Sequence, residues 1–169
     1  SGCIGKDAQT NKAIPKSIAD QTYLALENTR LALDRAGSSM ENIVKTFSLI
    51  RDLSEYGEYR KAETEYYEEY APTLIKKPPS ATLMVYPGLA LPELKMEYEV
   101  IAIINRDAKD WNVKYYPEYW GGKELAFPHV PKEHAKFARS QVIGQLAIVS
   151  GCQALNHNTV RVETKDFRK

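Results

Sequence analysis

The chain is poor in the residues that would tie it to a metal, a membrane or a nucleic acid. Three histidines occur in 169 residues. His129, His134 and His157 lack the spacing of metal ligands, so no metal site is expected. Two cysteines, Cys3 and Cys152, are too few for a disulfide framework, which makes a reducing, cytoplasmic setting the default expectation. Neither has a histidine close by in a pattern that would activate a thiol, so both read as small buried strand residues. No apolar run approaches the roughly 20 residues that span a bilayer. An excess of one charge is also lacking: 23 Lys and Arg stand against 22 Asp and Glu, a net charge of +1. Nothing in that balance points to a nucleic-acid groove or a membrane surface as partner. Ser1 is not a methionine and no leader pattern follows it, so the chain is expected to start inside a longer polypeptide.

What is present is ordinary globular material, 43% hydrophobic and 27% charged. The length suits one domain, or one domain with a fragment of another. A chain of this size buries about 70% of its unfolded surface, so it needs no covalent staple.

Polar residues 4–17 form a loop. From Ile18 the apolar residues Ile18, Thr22, Leu26 and Leu33 follow helical spacing, with Ser17 placed as N-cap and Gly37 as C-cap, predicting a helix over 18–36. "IVKTFSLI", 43–50, is β-branched and aromatic and reads as a mostly buried strand. Tyr56, Tyr59, Tyr66, Tyr67 and Tyr70 recur at spacings of three, four and seven, a second helix over 55–70. Its Glu-rich last turn opposes the helix dipole and is expected to fray. "ATLMVY", 81–86, and "LKMEYEVIAII", 94–104, are strands. Residues 105–135 are polar and aromatic without period, too long for an ordinary loop, and read as a linker or functional excursion. "SQVIGQLAIVSG" reads as two short strands around Gly144, and 158–164 as an edge strand. Strands alternating with helices on one face make an α+β sandwich of two layers.

"QTYLALENTRLALDRAGSSMENIVKTFSLIRDL", "PPSATLMV" and "LKMEYEVIAI" together resemble the Rid family, the YjgF-type reactive intermediate deaminases, over residues 18–104. The resemblance implies a mixed sheet with two helices on one face, assembled as a homotrimer or pseudo-trimer with clefts between subunits. It also accounts for a repeat: Ser-Gly-Cys stands at residue 1 and again at 150. The family opens with two strands, the second ending in a Ser-Gly turn. That opening is absent ahead of Ser1, whereas "RSQVIGQLAIVSGC" looks like it at the other end. Residues 1–105 therefore read as a Rid-like module lacking its first strands, 106–135 as a linker, and 136–169 as the first hairpin and loop of a second or permuted module. A single permuted module with a chance repeat is the alternative. A missing opening leaves a sheet edge bare, and the hairpin is expected to pair into the sheet of the front half.

The resemblance further implies hydrolysis of a small imine or enamine to a ketone and ammonia, without metal or cofactor. In the family an Arg grips the substrate carboxylate. Here that position is Ser80, and the Cys two residues on is Thr82. The acid–base Glu is retained as Glu99, and the Ser-Gly turn as Ser150 and Gly151, with Cys152 in place of a Gln. Family Asn and Tyr positions are Arg60 and Arg139. Either arginine could hold the ligand instead, or both could be solvated or paired with Glu63 or Glu65. Glu97 shares a face with Glu99, and such a pair is more often solvated than catalytic. The "YYPEYWGG" cluster, 115–122, reads as linker packing or as a lid. Two readings stand: a Rid-like deaminase with an altered site, or a non-catalytic ligand-binding or assembly module of a larger protein.

Overall fold

The computed structural model describes residues 2–7, 10, 14–104, 113–116, 119–120, 123–124, 137–138 and 140–152. Strand β1 is short, Cys3–Ile4. Helix α1 spans Ile18–Arg35, and the Ser17 side chain caps it by accepting the Asp20 amide. Gly37 ends it at φ 76°, a left-handed conformation that glycine adopts without a Cβ clash.

Strand β2, Ile43–Ile50, leads to α2, Tyr56–Tyr70, and a short α3, Thr73–Lys76. The last turn of α2 is intact rather than frayed. Tyr66, Tyr67, Ala71 and Leu74 are buried there, and this packing outweighs the unfavourable dipole of the glutamates. Strands β3, Ser80–Val85, and β4, Met96–Ala102, complete the front half.

These strands form a four-stranded sheet in the order β1-β4-β2-β3. β3 runs parallel to β2, and β4 runs antiparallel to it. The helices cover one face. On that side Ile50, Met96 and Tyr98 meet Ile18, Leu26, Tyr59 and Tyr66 in one core cluster. The fold is therefore the expected α+β sandwich. Its other face, outward from the helices, carries the alternate residues. The registers Lys45↔Ser80, Phe47↔Thr82 and Leu49↔Met84 on one side, with Lys45↔Ile101, Phe47↔Glu99 and Leu49↔Glu97 on the other, set three rungs across that face.

The tail departs from expectation. β8, Ser140–Ile143, and β9, Leu146–Val149, do form a hairpin, turning at Gly144 with φ 54°. They do not extend the front sheet. β5, Val113–Tyr116, lies within the stretch read as a linker and pairs with β8, giving a separate three-stranded sheet β5-β8-β9. Among the described residues the hairpin meets the front sheet along a seam at the start of β3, with Lys45 of β2 reaching Val149 O. A two-stranded pair, β6, Tyr119–Trp120, and β7, Lys123–Glu124, also falls in that stretch. The strand expected at 158–164 lies outside the described residues.

Candidate functional site

The seam is built from backbone upward. Ala138 bridges to Ser80 in parallel, and its amide donates to Pro79 O at 3.0 Å. Gly151 donates its amide to Ala81 O at 2.9 Å. Ser150 accepts the Ala81 amide on its Oγ at 2.8 Å and donates to Ala138 O. Ser80 Oγ donates to Ile148 O at 3.3 Å, and Gln141 Nε2 to Pro78 O at 3.2 Å. Ser80 and Ser150 are consequently buried. A Cβ on Gly151 would stand 3.4 Å from the Thr82 side chain, so the turn lies directly beside Thr82.

Five residues singled out in the sequence thus meet here: Ser80, Thr82, Ser150, Gly151 and, at the open end, Cys152. Cys152 is exposed and Cys3 half-buried, and both are free thiols. The expectation of two buried strand cysteines does not hold, because each sits where its strand has already ended or is only two residues long. Glu99 is exposed on the outer face, one rung position across Phe47 from Thr82.

Arg60 is elsewhere. It lies on the helix side of the sheet, buried and paired with Glu63, one of the two partners considered for it. Glu63 Oε1 also accepts the hydroxyls of Tyr59 at 2.9 Å and Tyr98 at 2.8 Å. Ser48 joins Tyr59 at 2.7 Å, and Tyr67 joins Tyr98 at 2.5 Å. Burial pushes the pKa values of Tyr59, Tyr67 and Tyr98 well up, with the Glu63 charge adding to the rise. For Arg60, burial pulls the pKa down, but the Glu63 carboxylate and the tyrosines Tyr59, Tyr56 and Tyr67 together more than offset it. Arg139 lies outside the described residues, as do the three histidines.

One residue at the seam was missed in the sequence. Lys45 Nζ donates to Thr82 Oγ1 at 2.7 Å and to Val149 O at 2.8 Å. Burial lowers its pKa, opposed by a charge interaction with nearby Cys152. Its signal was the one charged residue in that strand.

The described residues include no group of three or more His, Cys, Asp or Glu side chains able to hold a metal ion. Among them no helix is long and apolar enough to cross a membrane.

Residues 1–104 match the family model described as Endoribonuclease L-PSP. The chain is 32% identical over 105 residues to Reactive Intermediate Deaminase A, chloroplastic, of Arabidopsis thaliana, covering 62% of this chain and 51% of that protein. It is 29% identical over 104 residues to the 2-iminobutanoate/2-iminopropanoate deaminase of Rattus norvegicus, covering 61% of this chain and 69% of that protein. Among solved structures, Escherichia coli TdcF with bound serine aligns at TM-score 0.55 and 29% identity, over 61% of this chain and 76% of that one. The chain spans 51% to 60% of the length of several curated relatives it matches. With the family model covering more than half of its length, and a YjgF protein among its structural neighbours, the chain belongs to the Rid, or YjgF-type, family.

Proposed function

We propose that the chain acts on a small imine or enamine carrying a carboxylate, hydrolysing it to a ketone and ammonia. The observation that carries this reading is the convergence of Ser80, Thr82, Ser150 and Gly151 at one seam, with Glu99 on the adjoining open face. Water adds to the imine carbon, the nitrogen takes up a proton, and the carbinolamine collapses to release ammonia. Glu99 serves as the group that takes the proton from water and returns it to the leaving nitrogen. Ser150 and Gly151 shape the wall against which the substrate lies. The names of the deaminase relatives support the reaction class.

The assembly belongs to the same proposal. Gly2 and Cys3 of the first Ser-Gly-Cys copy and Ser150 and Gly151 of the second lie at opposite edges of the sheet. Gly2 packs against Glu97 beyond β1, and Gly151 against Thr82 on β3. Joining these two unlike edges between modules would be a head-to-tail contact, which forms a ring where its rotation closes. This supports tandem modules, with residues 1–105 as one, 106–135 as a connection and 136–169 as the start of the next, in a trimer or pseudo-trimer. The exposed apolar residues Met84 and Ile101 on the uncovered sheet face suit such an interface. A cytoplasmic setting fits this chemistry.

A second reading is a non-catalytic ligand-binding or assembly module. It is favoured by Ser80, which is fully buried under the hairpin and has no charge with which to hold a carboxylate. The two are separated by generating 2-aminoacrylate in situ and measuring ammonia and keto-acid release. Release above background that falls about 100-fold or more in Glu99→Gln establishes the deaminase, whereas a rate equal to background leaves the binding module. An Arg139→Ala variant with unchanged ligand affinity removes that arginine from the site.

A further inference from the structure

We propose that Lys45 is the cation that grips the substrate carboxylate in this chain, an inference that rests on the deaminase reading. β2 and β3 are parallel neighbours, and their register sets Lys45 beside Ser80 on the same face. The charge missing at Ser80 is therefore supplied one strand away, by a side chain that reaches the same seam.

The surroundings of Lys45 call for an anion. Its ammonium donates to two neutral oxygens, Thr82 Oγ1 at 2.7 Å and Val149 O at 2.8 Å. An ammonium has three protons to donate, so one remains for a ligand. Among the described residues no carboxylate forms an ion pair with it. A partly buried cation with no carboxylate partner bears a desolvation cost that a bound carboxylate relieves. The lowered pKa of Lys45 has that same origin.

The rungs then give the substrate its length. Thr82, Phe47 and Glu99 lie side by side on three adjacent strands. Strands are spaced about 4.8 Å apart, so the Thr82 and Glu99 backbones stand roughly 10 Å apart with Phe47 as the floor between them. A three- or four-carbon 2-imino acid laid over Phe47 has its carboxylate at Lys45 and its imine carbon toward Glu99. A lysine is a point charge rather than a planar fork. The site therefore selects for an acid while fixing its rotation less tightly than an arginine does.

The test uses the full chain with 13C,15N-labelled lysine and two probes, 2-oxobutanoate and the uncharged 2-butanone. In the unsubstituted protein 2-oxobutanoate is expected to shift the Lys45 side-chain resonance, identified by its absence in Lys45→Arg, while 2-butanone leaves it in place. Lys45→Met is expected to weaken 2-oxobutanoate about 10-fold or more, the size of a lost charge-assisted hydrogen bond, and Lys45→Arg to retain binding. Binding of 2-oxobutanoate with an unmoved Lys45 resonance overturns the assignment and leaves the deaminase reading standing. Absence of both 2-oxobutanoate binding and ammonia release overturns the two together. The resonance measurement needs no variant to fold beyond the one used for assignment.

Discussion

Ser150 Oγ accepts the amide hydrogen of Ala81 at 2.8 Å, across 69 positions of sequence. The same hydroxyl donates to Ala138 O, so one buried group joins β3, the strand-like entry at Ala138 and the end of β9. The tail hairpin is thereby fastened to the front sheet without a continuous ladder.

Replacing Ser150 with Ala leaves the Ala81 amide and the Ala138 carbonyl without this partner in a buried setting. A buried group stripped of its partner costs about 1–3 kcal/mol. The expected result is a lower thermal midpoint, together with faster hydrogen exchange at Ala81 and along 140–149. Unchanged exchange at those amides would show that the hairpin is held by something other than this hydroxyl.

Glu63 is the centre of a second network, on the helix side. Glu63→Ala removes the carboxylate beside buried Arg60 and the acceptor of both Tyr59 and Tyr98. Breaking a buried ion pair from one side costs about 3–5 kcal/mol. The double replacement Arg60→Met with Glu63→Leu is expected to cost less than Glu63→Ala alone, since no charge is left stranded. Chemical denaturation of the three proteins checks the order.

The same network sets an alkaline limit. Tyr59, Tyr67 and Tyr98 have folded pKa values raised above the ordinary tyrosine value of about 10. Below pH about 10 the phenols are protonated in both states and stability is undiminished. Above it the unfolded chain releases protons that the folded chain retains, so stability falls by roughly 1.4 kcal/mol per pH unit for each tyrosine. Denaturant midpoints measured between pH 8 and about 11 should stay level and then drop. Tyr98→Phe should make the drop shallower.

Gly5 follows β1 and is buried against α1. A Cβ there would run into the backbone and Cβ of Gln21. Gln21 donates to Pro15 O at 2.7 Å and Glu93 O at 2.9 Å, and accepts the Lys95 amide at 2.8 Å. Gly5→Ala must displace either the helix or these bonds, at a cost of about 2 kcal/mol or more. Gly2→Ala meets chiefly the flexible end of Glu97 and should be milder. Comparing the two thermal midpoints tests the difference.

The long elements of the front half were legible in the sequence because their signals are local, whereas the short α3 was not read. The stripe from Ile18 to Leu33, the Ser17 cap and Gly37 bound α1 to within a residue. The β-branched run bounds β2 at both ends, Ile43–Ile50. Tyrosine spacing marked α2, but not the glutamate it buries: Glu63 lies in a run of charges that reads as solvated, and only the tyrosines of α2 and β4 closing over it make it interior. The Ser-Gly-Cys repeat and the Rid-like segments pointed to Ser80, Thr82 and Ser150 as a group, while β5 was hidden in a stretch without period.

Local spacing and capping, written in neighbouring residues, determined the long helices and strands of the front half, the α+β class and the family resemblance. Strand register and the docking edge of the hairpin were decided by tertiary structure alone, because pairing joins segments that no periodicity relates. That is why the choice between ligand and ion pair for Arg60 falls to Glu63, and why Lys45, which the sequence did not single out, faces the seam beside Ser80.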